Sequence, residues 1–235
     1  VYKSKYRLGN RDVDMHSKLR TSALFTILQE AASQHCIELG FGPAFTEKRN
    51  LIWVITRQKA EINRLPVYEE EILLETWPGP TKHVIFPRYY KISDIRGNVL
   101  INASSVWTLV DSQTRTLAAA GQYGIDLCGT YTGDEISLPR APQQLATSLS
   151  QDFTVPYSYL DINGHMNNTR YFDLAEDNII SSAAGDKLRM VSVEYNNEAR
   201  LHDKLNIQIG SEGKKYYITG DTDKPVFKMY LDYSL

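Results

Sequence analysis

The residues best suited to chemistry lie in one short segment, 161–168, which reads DINGHMNN. A histidine moves protons near neutral pH, and a nearby carboxylate can fix its tautomer or attack a carbonyl carbon directly. A loop that leads into a helix also offers free backbone N–H groups, and the positive end of the helix dipole, to a developing oxyanion. Asp161, Asn163 and His165 are therefore candidate catalytic residues, and Gly164 indicates a turn that a side chain would hinder.

The same segment also has a purely structural interpretation. Asp, Asn and Gly are favoured in turns and Asn is a good N-cap, so the run could serve only to start a helix. An earlier copy allows a comparison, because residues 12–16 (DVDMH) resemble 161–165 (DINGH) at an offset of 149 residues, 161 − 12. The earlier copy lacks equivalents of Asn163, Gly164 and Asn167, so we expect the second copy to carry the chemistry.

A second candidate group is Glu198, which falls near the end of a predicted central strand. The corresponding position of the first copy is about Leu65, and a carboxylate in place of an apolar residue needs a reason. Burial would raise the pKa of such a carboxylate and let it activate water. The alternative is a strand end in solvent, and residue types alone do not choose between the two.

Cys36 and Cys128 are the only cysteines, and they lie far apart in the chain. Two such thiols do not make a disulfide framework, and no Cys/His cluster has zinc-ligand spacing, so no metal is expected. Cys36 follows His35, but adjacent helical residues point about 100° apart, which disfavours a Cys–His catalytic pair. A reducing compartment, and hence a cytoplasmic location, fits this cysteine content.

A helical pattern follows each of the two loops, and strands follow each helix. Thr21 can cap the first helix, whose apolar positions recur at helical spacing: Leu24, Ile27, Leu28, Ala31 and Ala32. Strands rich in β-branched and apolar residues are predicted at 53–62, 71–77, 84–92, 99–110, 190–195, 205–209, 216–219 and 226–233. Residues 121–150 have weak periodicity and are predicted to be a linker. The order of strand, loop, helix and antiparallel meander, found twice, predicts an α+β fold.

Composition and charge exclude several classes of protein. The chain has 235 residues, of which 42% are hydrophobic and 23% charged, and its longest apolar runs are far shorter than a membrane span of about 20 residues. A net charge of −2 argues against general nucleic-acid binding. Residues 1–64 carry 11 Lys/Arg against 6 Asp/Glu, a net of +5, which could attract an acidic partner or be scattered solvated side chains.

The chain resembles the fatty acyl-acyl carrier protein thioesterases of plant plastids and bacteria over nearly its whole length. The matching stretches are 51–54 (LIWV), 75–77 (ETW), 103–107 (ASSVW), 111–115 (DSQTR), 160–168 (LDINGHMNN), Tyr171, 193–195 (VEY) and Glu198. Each stretch is weak by itself, but together, in order and at the right spacing, they are specific. Plant members have a cysteine after the glutamate where this chain has Ala199, which rules out that thiol here.

The resemblance implies a double hotdog fold, with an N-terminal domain at 1–120 that holds the acyl tunnel and a C-terminal domain at 151–235. It also implies that Asp161, Asn163, His165 and Glu198 form the catalytic set in the C-terminal domain. The implied reaction is hydrolysis of a thioester on acyl carrier protein, with no cofactor and no metal. Residues expected to line the tunnel, or else an ordinary core, are Leu24, Ile27, Leu28, Ala31 and Trp53.

Several alternatives remain open at this stage. An acyl-CoA thioesterase of the same fold would share most of these features, whereas a non-catalytic acyl-binding module would not need the four polar residues together. A hotdog dehydratase is disfavoured because its usual cross-subunit His and acid pairing has no obvious counterpart. Chain-length preference cannot be read from the sequence, and two fused copies could still dimerise through exposed sheet edges.

Overall fold

The computed structural model describes residues 1–127, 129–142, 144–183 and 187–234. The chain divides into two compact units, Val1–Pro139 and Arg140–Leu235. Each unit has the same plan, in which a strand, a short 3-10 helix and a loop precede an α-helix and then four antiparallel strands. No described helix combines the length and the apolar character that crossing a bilayer requires.

The first unit is a five-stranded antiparallel sheet with one long helix. Its strands are β1 (Tyr2–Arg7), β2 (Leu51–Ile62), β3 (Glu71–Pro78), β4 (Phe86–Asp94) and β5 (Val99–Asp111), in the order β1-β3-β4-β5-β2. Helix α1 (Thr21–Glu38) precedes β2, and the short helix α2 (Pro43–Thr46) lies between them. Arg20 is the N-cap of α1 and makes no side-chain cap hydrogen bond, so the prediction that Thr21 caps this helix is wrong.

The second unit repeats this arrangement with shorter connections. Its strands are β6 (Thr147–Thr154), β7 (Met190–Tyr195), β8 (Lys204–Glu212), β9 (Lys215–Asp221) and β10 (Pro225–Asp232), in the order β7-β10-β9-β8-β6. Helix α3 (Arg170–Ala183) precedes β7. The hairpin between β8 and β9 is tight, with Gly213 at a positive φ of 58° that a side chain adopts less readily.

The eight strands predicted from β-branched and apolar runs correspond to β2–β5 and β7–β10 within a few residues. The first strand of each unit was not placed by the sequence, and β6 begins inside the predicted linker 121–150. Both strands are polar at many positions, and all but one residue of β6 is exposed, so neither shows a buried apolar face. A period-2 hydrophobic signal requires such a face, which explains the difference.

The two copies align at an offset different from the one read from sequence. Asp14 accepts hydrogen bonds from the amides of His16 and Lys18 at 2.8 and 2.9 Å. Asp161 accepts in the same way from Asn163 at 2.8 Å and His165 at 3.4 Å.

The true offset is therefore 147 residues, 161 − 14, rather than 149. The isolated bridges Val13–Leu19 and Leu160–Met166 obey the same offset. By this alignment the counterpart of His165 is Lys18 and that of Asn163 is His16.

Candidate active site

The candidate loop is held by the carboxylate of Asp161. Its Oδ1 accepts the backbone N–H of Asn163 at 2.8 Å and that of His165 at 3.4 Å, while the Asn163 side-chain amide donates to Oδ2 at 3.5 Å. The backbone closes the turn, because the Asp161 amide donates to the His165 carbonyl and the Gly164 amide donates to the Asp161 carbonyl. Gly164 has a φ of 74°, so the predicted need for glycine in this turn is met by the geometry.

The side chains of His165 and Glu198, two of the four predicted catalytic residues, lie in direct contact. His165 Nε2 lies 3.1 Å from Glu198 Oε2, and the two side chains are 20% and 35% exposed. The distance is that of an N–H···O hydrogen bond. Both groups can thus reach water or a ligand while remaining in contact with each other.

Backbone pairing brings the glutamate to the loop. Glu198 lies past the end of β7 rather than inside it. The Met166 amide donates to the Ala199 carbonyl at 2.7 Å, and residues 165 and 200 form an antiparallel bridge. In the first unit the Leu19 amide donates to the Pro66 carbonyl at 2.9 Å in the same way, which makes Leu65 the counterpart of Glu198, as the sequence suggested.

Tyr171 is a buried neighbour of the segment that carries Glu198, and the residue pattern alone did not reveal this placement. Its side chain is 2% exposed, and its hydroxyl lies close enough to the backbone of Ala199, the residue after Glu198, for that backbone to lower its pKa. Burial is the main reason that the pKa of Tyr171 is raised, and the negative charge of Glu198 adds to it. The ring packs against Phe227 with centroids 4.8 Å apart.

The start of α3 is stabilised by an asparagine of the same loop. Asn167 Oδ1 accepts both the amide and the hydroxyl of Thr169 at 2.9 Å, while the Arg170 amide donates to the Asn167 carbonyl at 2.9 Å. The run of polar residues therefore does serve as a turn and a helix start. The structural interpretation therefore holds for Asn167, whereas the chemical interpretation of Asp161, Asn163 and His165 stays a prediction.

The residues predicted to line an acyl tunnel divide into two groups. Leu24, Ile27, Leu28 and Ala31 of α1 are at most 5% exposed and belong to the core of the first unit. Trp53 is half-buried, donates its indole N–H to the Phe41 carbonyl at 2.9 Å and packs beside a separate apolar cluster. An apolar slot and an ordinary core have the same residue pattern, so tunnel lining stays a prediction.

Cys36 is poorly suited to act as a nucleophile. Its thiol donates to the Phe41 carbonyl at 3.2 Å, and burial raises the pKa of the thiol. Cys128 lies outside the described residues. No group of three or more His, Cys, Asp or Glu side chains in the described part of the chain is placed to hold a metal ion.

The basic excess of residues 1–64 is largely neutralised within the first unit. Three cations of β1 pair with carboxylates across the sheet edge: Lys3 with Glu75, Lys5 with Glu71 and Arg7 with Glu69. Arg64 pairs with Glu70 at 2.6 Å, and Lys59 pairs with Glu61 at 2.6 Å. Only part of the formal charge of +5 is thus available to attract an acidic partner.

Two family models match the chain in sequence. The model described as acyl-ACP thioesterase N-terminal domain matches residues 1–122, and that described as acyl-ACP thioesterase C-terminal domain matches residues 142–228. The second match contains the loop at 161–168 and Glu198, and the first contains α1 and β1–β5.

Curated relatives include chloroplastic enzymes of plants. An acyl-[acyl-carrier-protein] hydrolase of Cuphea viscosissima is 26% identical over 87% of this chain and 53% of its own length. A dodecanoyl-[acyl-carrier-protein] hydrolase of Cinnamomum camphora is 24% identical over 87% of the chain and 58% of its own length. The chain spans about half the length of the curated relatives it matches.

Solved structures give the fold. A crystal structure of an acyl-ACP thioesterase from Bacteroides thetaiotaomicron superposes with a TM-score of 0.85 at 22% identity, covering 99% of this chain and 97% of the other. The 12:0-ACP thioesterase from Umbellularia californica superposes with a TM-score of 0.82 at 21% identity, covering 99% of this chain and 96% of the other. The α+β double hotdog fold predicted from the sequence is confirmed.

Proposed function

Because the chain belongs to the acyl-ACP thioesterase family, we propose that it hydrolyses the thioester of fatty acyl-acyl carrier protein, releasing free fatty acid and holo-acyl carrier protein. The observation that carries the proposal is the His165–Glu198 pair, 3.1 Å apart and partly exposed beside the loop that leads into α3. Thioester hydrolysis needs a group that takes a proton from water as it attacks, and this pair provides one.

Two chemical routes fit these residues. In one route Asp161 attacks the carbonyl carbon, expels the thiol and leaves an anhydride that water then resolves with help from His165 and Glu198. In the other route the His165–Glu198 pair takes a proton from water, which attacks the carbonyl directly. The contacts favour direct attack, because Asp161 Oδ1 already accepts amide hydrogen bonds that hold the loop.

In this mechanism the loop has two tasks. Asp161 fixes the backbone, so that Asn163 is presented as an exposed donor to the thioester carbonyl oxygen. Backbone N–H groups near the start of α3 add to the stabilisation of the oxyanion. The oxyanion then collapses, the carbon–sulfur bond breaks, and the thiolate of the carrier's pantetheine arm leaves with the proton taken from water.

Isotope labelling separates the two routes. After a single turnover in ¹⁸O-labelled water, direct attack places the label only in the fatty acid. The anhydride route can transfer label to the Asp161 carboxylate over repeated turnovers, because water can attack either carbonyl. Label in that carboxylate, detected by mass spectrometry of the peptide that contains it, would overturn the direct route.

The proposed partner is an acyl carrier protein with a phosphopantetheine-linked acyl chain, and the acyl chain is proposed to lie in the first unit near Leu24, Ile27, Leu28, Ala31 and Trp53. Within the basic segment 1–64, Lys18 and Lys48 are exposed cations that make no salt bridge to a described residue. They are the best candidates to meet an acidic carrier. A cytoplasmic location and a possible homodimer remain proposals that rest on the sequence.

The docking proposal has a direct test. Lys18→Glu combined with Lys48→Glu should raise KM for the carrier-linked substrate more than for the matched acyl-CoA, because only the carrier presents a large acidic surface. Lys3→Glu is the control, since Lys3 is already paired with Glu75. Equal KM changes on both thioesters would contradict docking at these two lysines.

Thiol release tests the activity itself. The wild-type chain should release free thiol from acyl-acyl carrier protein faster than from acyl-CoA of the same chain length, across a series of chain lengths. Preference for the CoA thioester would favour the acyl-CoA alternative. No release from any thioester, combined with measurable binding of an acyl chain, would favour the non-catalytic module.

A further inference from the structure

A row of buried polar side chains crosses the sheet of the first unit, whereas the proposed catalytic loop belongs to the second unit. Gln58 on β2 pairs with Ser105 on β5, which in turn pairs with Arg88 on β4. Cross-strand partners share one face of a sheet. Thr76 on β3 joins the row by accepting a hydrogen bond from Arg88 at 3.2 Å, and none of the four side chains is more than 7% exposed.

Arg88 is the only charge in this row. Its guanidinium Nη1 approaches His35 Nδ1 at 3.0 Å and Thr76 Oγ1 at 3.2 Å. Thr76 gives its own hydroxyl proton to the Tyr89 carbonyl at 2.9 Å, which makes it an acceptor towards Arg88. Burial, followed by the positive charge of Arg88, lowers the pKa of His35 to about 4, so this histidine is a neutral partner.

The neighbouring polar groups are also neutral. Ser105 Oγ accepts the Trp107 indole N–H at 2.8 Å and pairs with the Tyr90 hydroxyl at 2.9 Å. Among the described residues, no carboxylate makes a salt bridge to Arg88, and both side-chain hydrogen bonds of Arg88 use Nη1. The buried positive charge of Arg88 therefore has no carboxylate partner among the described residues.

Such a charge is costly in a protein interior. Arginine stays protonated even when buried, so it cannot become neutral as a lysine can. Buried charges are ordinarily paired with an opposite charge, because desolvation without such a partner is strongly unfavourable. The Nε–Nη2 edge of a guanidinium matches the two oxygens of a single carboxylate.

We propose that Arg88 binds the carboxylate of an aliphatic acid inside the first unit, with His35 and Thr76 holding the guanidinium in place. The choice of an aliphatic acid rests on the proposed function. One carboxylate balances the single charge, whereas a phosphate would need more donors. Helix α1, which brings His35 to Arg88, also carries the small buried residues Ala31 and Ala32 about one turn before His35, which suits an alkyl chain.

Calorimetric titration of the full chain tests this site without any turnover. Decanoate should bind the wild type about 10- to 100-fold more tightly than 1-decanol, which has the same alkyl chain but no charge. Arg88→Met keeps an unbranched stem and should bring that ratio close to one, whereas Arg88→Lys should retain part of it. Arg96→Met, a change in an exposed turn, is the control and should leave the ratio unchanged.

Two results would overturn the proposal. The first is equal affinity of the wild type for decanoate and 1-decanol, which needs no variant and so does not depend on folding. The second is a preference for decanoate that survives in a folded Arg88→Met protein, since the carboxylate would then bind elsewhere. Circular dichroism of each variant establishes that it is folded.

Kinetics with two thioesters identifies the source of the carboxylate. If Arg88 meets the far end of a substrate, Arg88→Met should lower kcat/KM for an ω-carboxydecanoyl thioester by a much larger factor than kcat/KM for the decanoyl thioester. If it binds free fatty acid, decanoate should inhibit the wild type and not the variant. If neither effect is observed, the bound carboxylate is neither a substrate nor a product of this enzyme, and that result would contradict the proposal that it is an aliphatic acid of the thioesterase reaction. No hydrolysis of any thioester would refute the proposed function and leave the titration result standing.

Discussion

Replacing Glu198 by glutamine tests the proposed mechanism most directly. Glutamine has nearly the shape of glutamate and can still hydrogen-bond His165, whose Nε2 lies 3.1 Å from Glu198 Oε2. It cannot accept a proton or carry a negative charge. Glu198→Gln therefore removes the proton-transfer chemistry of the pair and leaves its packing almost unchanged.

The expected magnitude follows from exposure and from the role of the pair. The two side chains are 20% and 35% exposed, so solvent screens their attraction and the free energy of unfolding should change by only about 0–1 kcal/mol. Loss of a general base lowers a rate by about 10²- to 10⁴-fold, which corresponds to roughly 3–5 kcal/mol in the activation barrier. Activity should thus fall by far more than stability.

The assay is continuous thiol release from acyl-acyl carrier protein, with urea unfolding measured on the same preparations. Glu61→Gln is a matched control, because Glu61 is also a carboxylate paired with a cation, Lys59, at 2.6 Å, but lies outside the candidate site. That variant should keep wild-type kcat/KM. The reasoning is refuted if folded Glu198→Gln retains kcat/KM within about threefold of the wild type.

Asp161, His35 and Tyr171 each allow a further prediction. Asp161→Ala should lower the free energy of unfolding by about 1 kcal/mol and also lower kcat. Asp14→Ala, the matched change in the first unit, should lower the free energy of unfolding by a similar amount and leave kcat unchanged. Equal losses of kcat in the two variants would contradict a site in the second unit. The pKa of His35 is about 4 in the folded chain and 6.5 in the unfolded chain, so the unfolded chain binds more protons between these two pH values. The free energy of unfolding should therefore fall by up to about 3 kcal/mol as the pH is lowered from 7 to 4. Urea titrations should show this loss in the wild type but not in His35→Leu, and a loss shared by both would exclude His35 as its source. Tyr171→Phe removes the buried hydroxyl beside the Ala199 backbone, so kcat should fall with KM unchanged, and a change confined to KM would speak against a positioning role for Tyr171.

The sequence determined most of the elements of the fold. Strands buried on one or both faces have runs of β-branched and apolar residues, and eight of them were predicted within a few residues of β2–β5 and β7–β10. The polar first strands β1 and β6 lack such runs because they bury little on either face. The sequence also indicated the repeat, but its offset could not be settled from residue identities.

Hydrogen bonding decided that offset, because residues equivalent in the fold need not be identical. Matching Asp12 to Asp161 aligns two histidines, yet Asp14 is the residue whose carboxylate holds the first loop. The alignment of like residues was thus misled by a nearby aspartate. Backbone contacts, unlike side-chain identity, give one register only.

The candidate site shows the same division between sequence and structure. Residue types and a family resemblance picked out Asp161, Asn163, His165 and Glu198, since their chemistry is visible in the sequence. Only the tertiary structure decided that His165 pairs with Glu198 while Asp161 holds the loop. Their contacts depend on backbone pairing between segments far apart in the chain, and local sequence does not encode such distances. The burial of Arg88 beside His35 and Thr76 likewise exists only where β3, β4 and α1 meet.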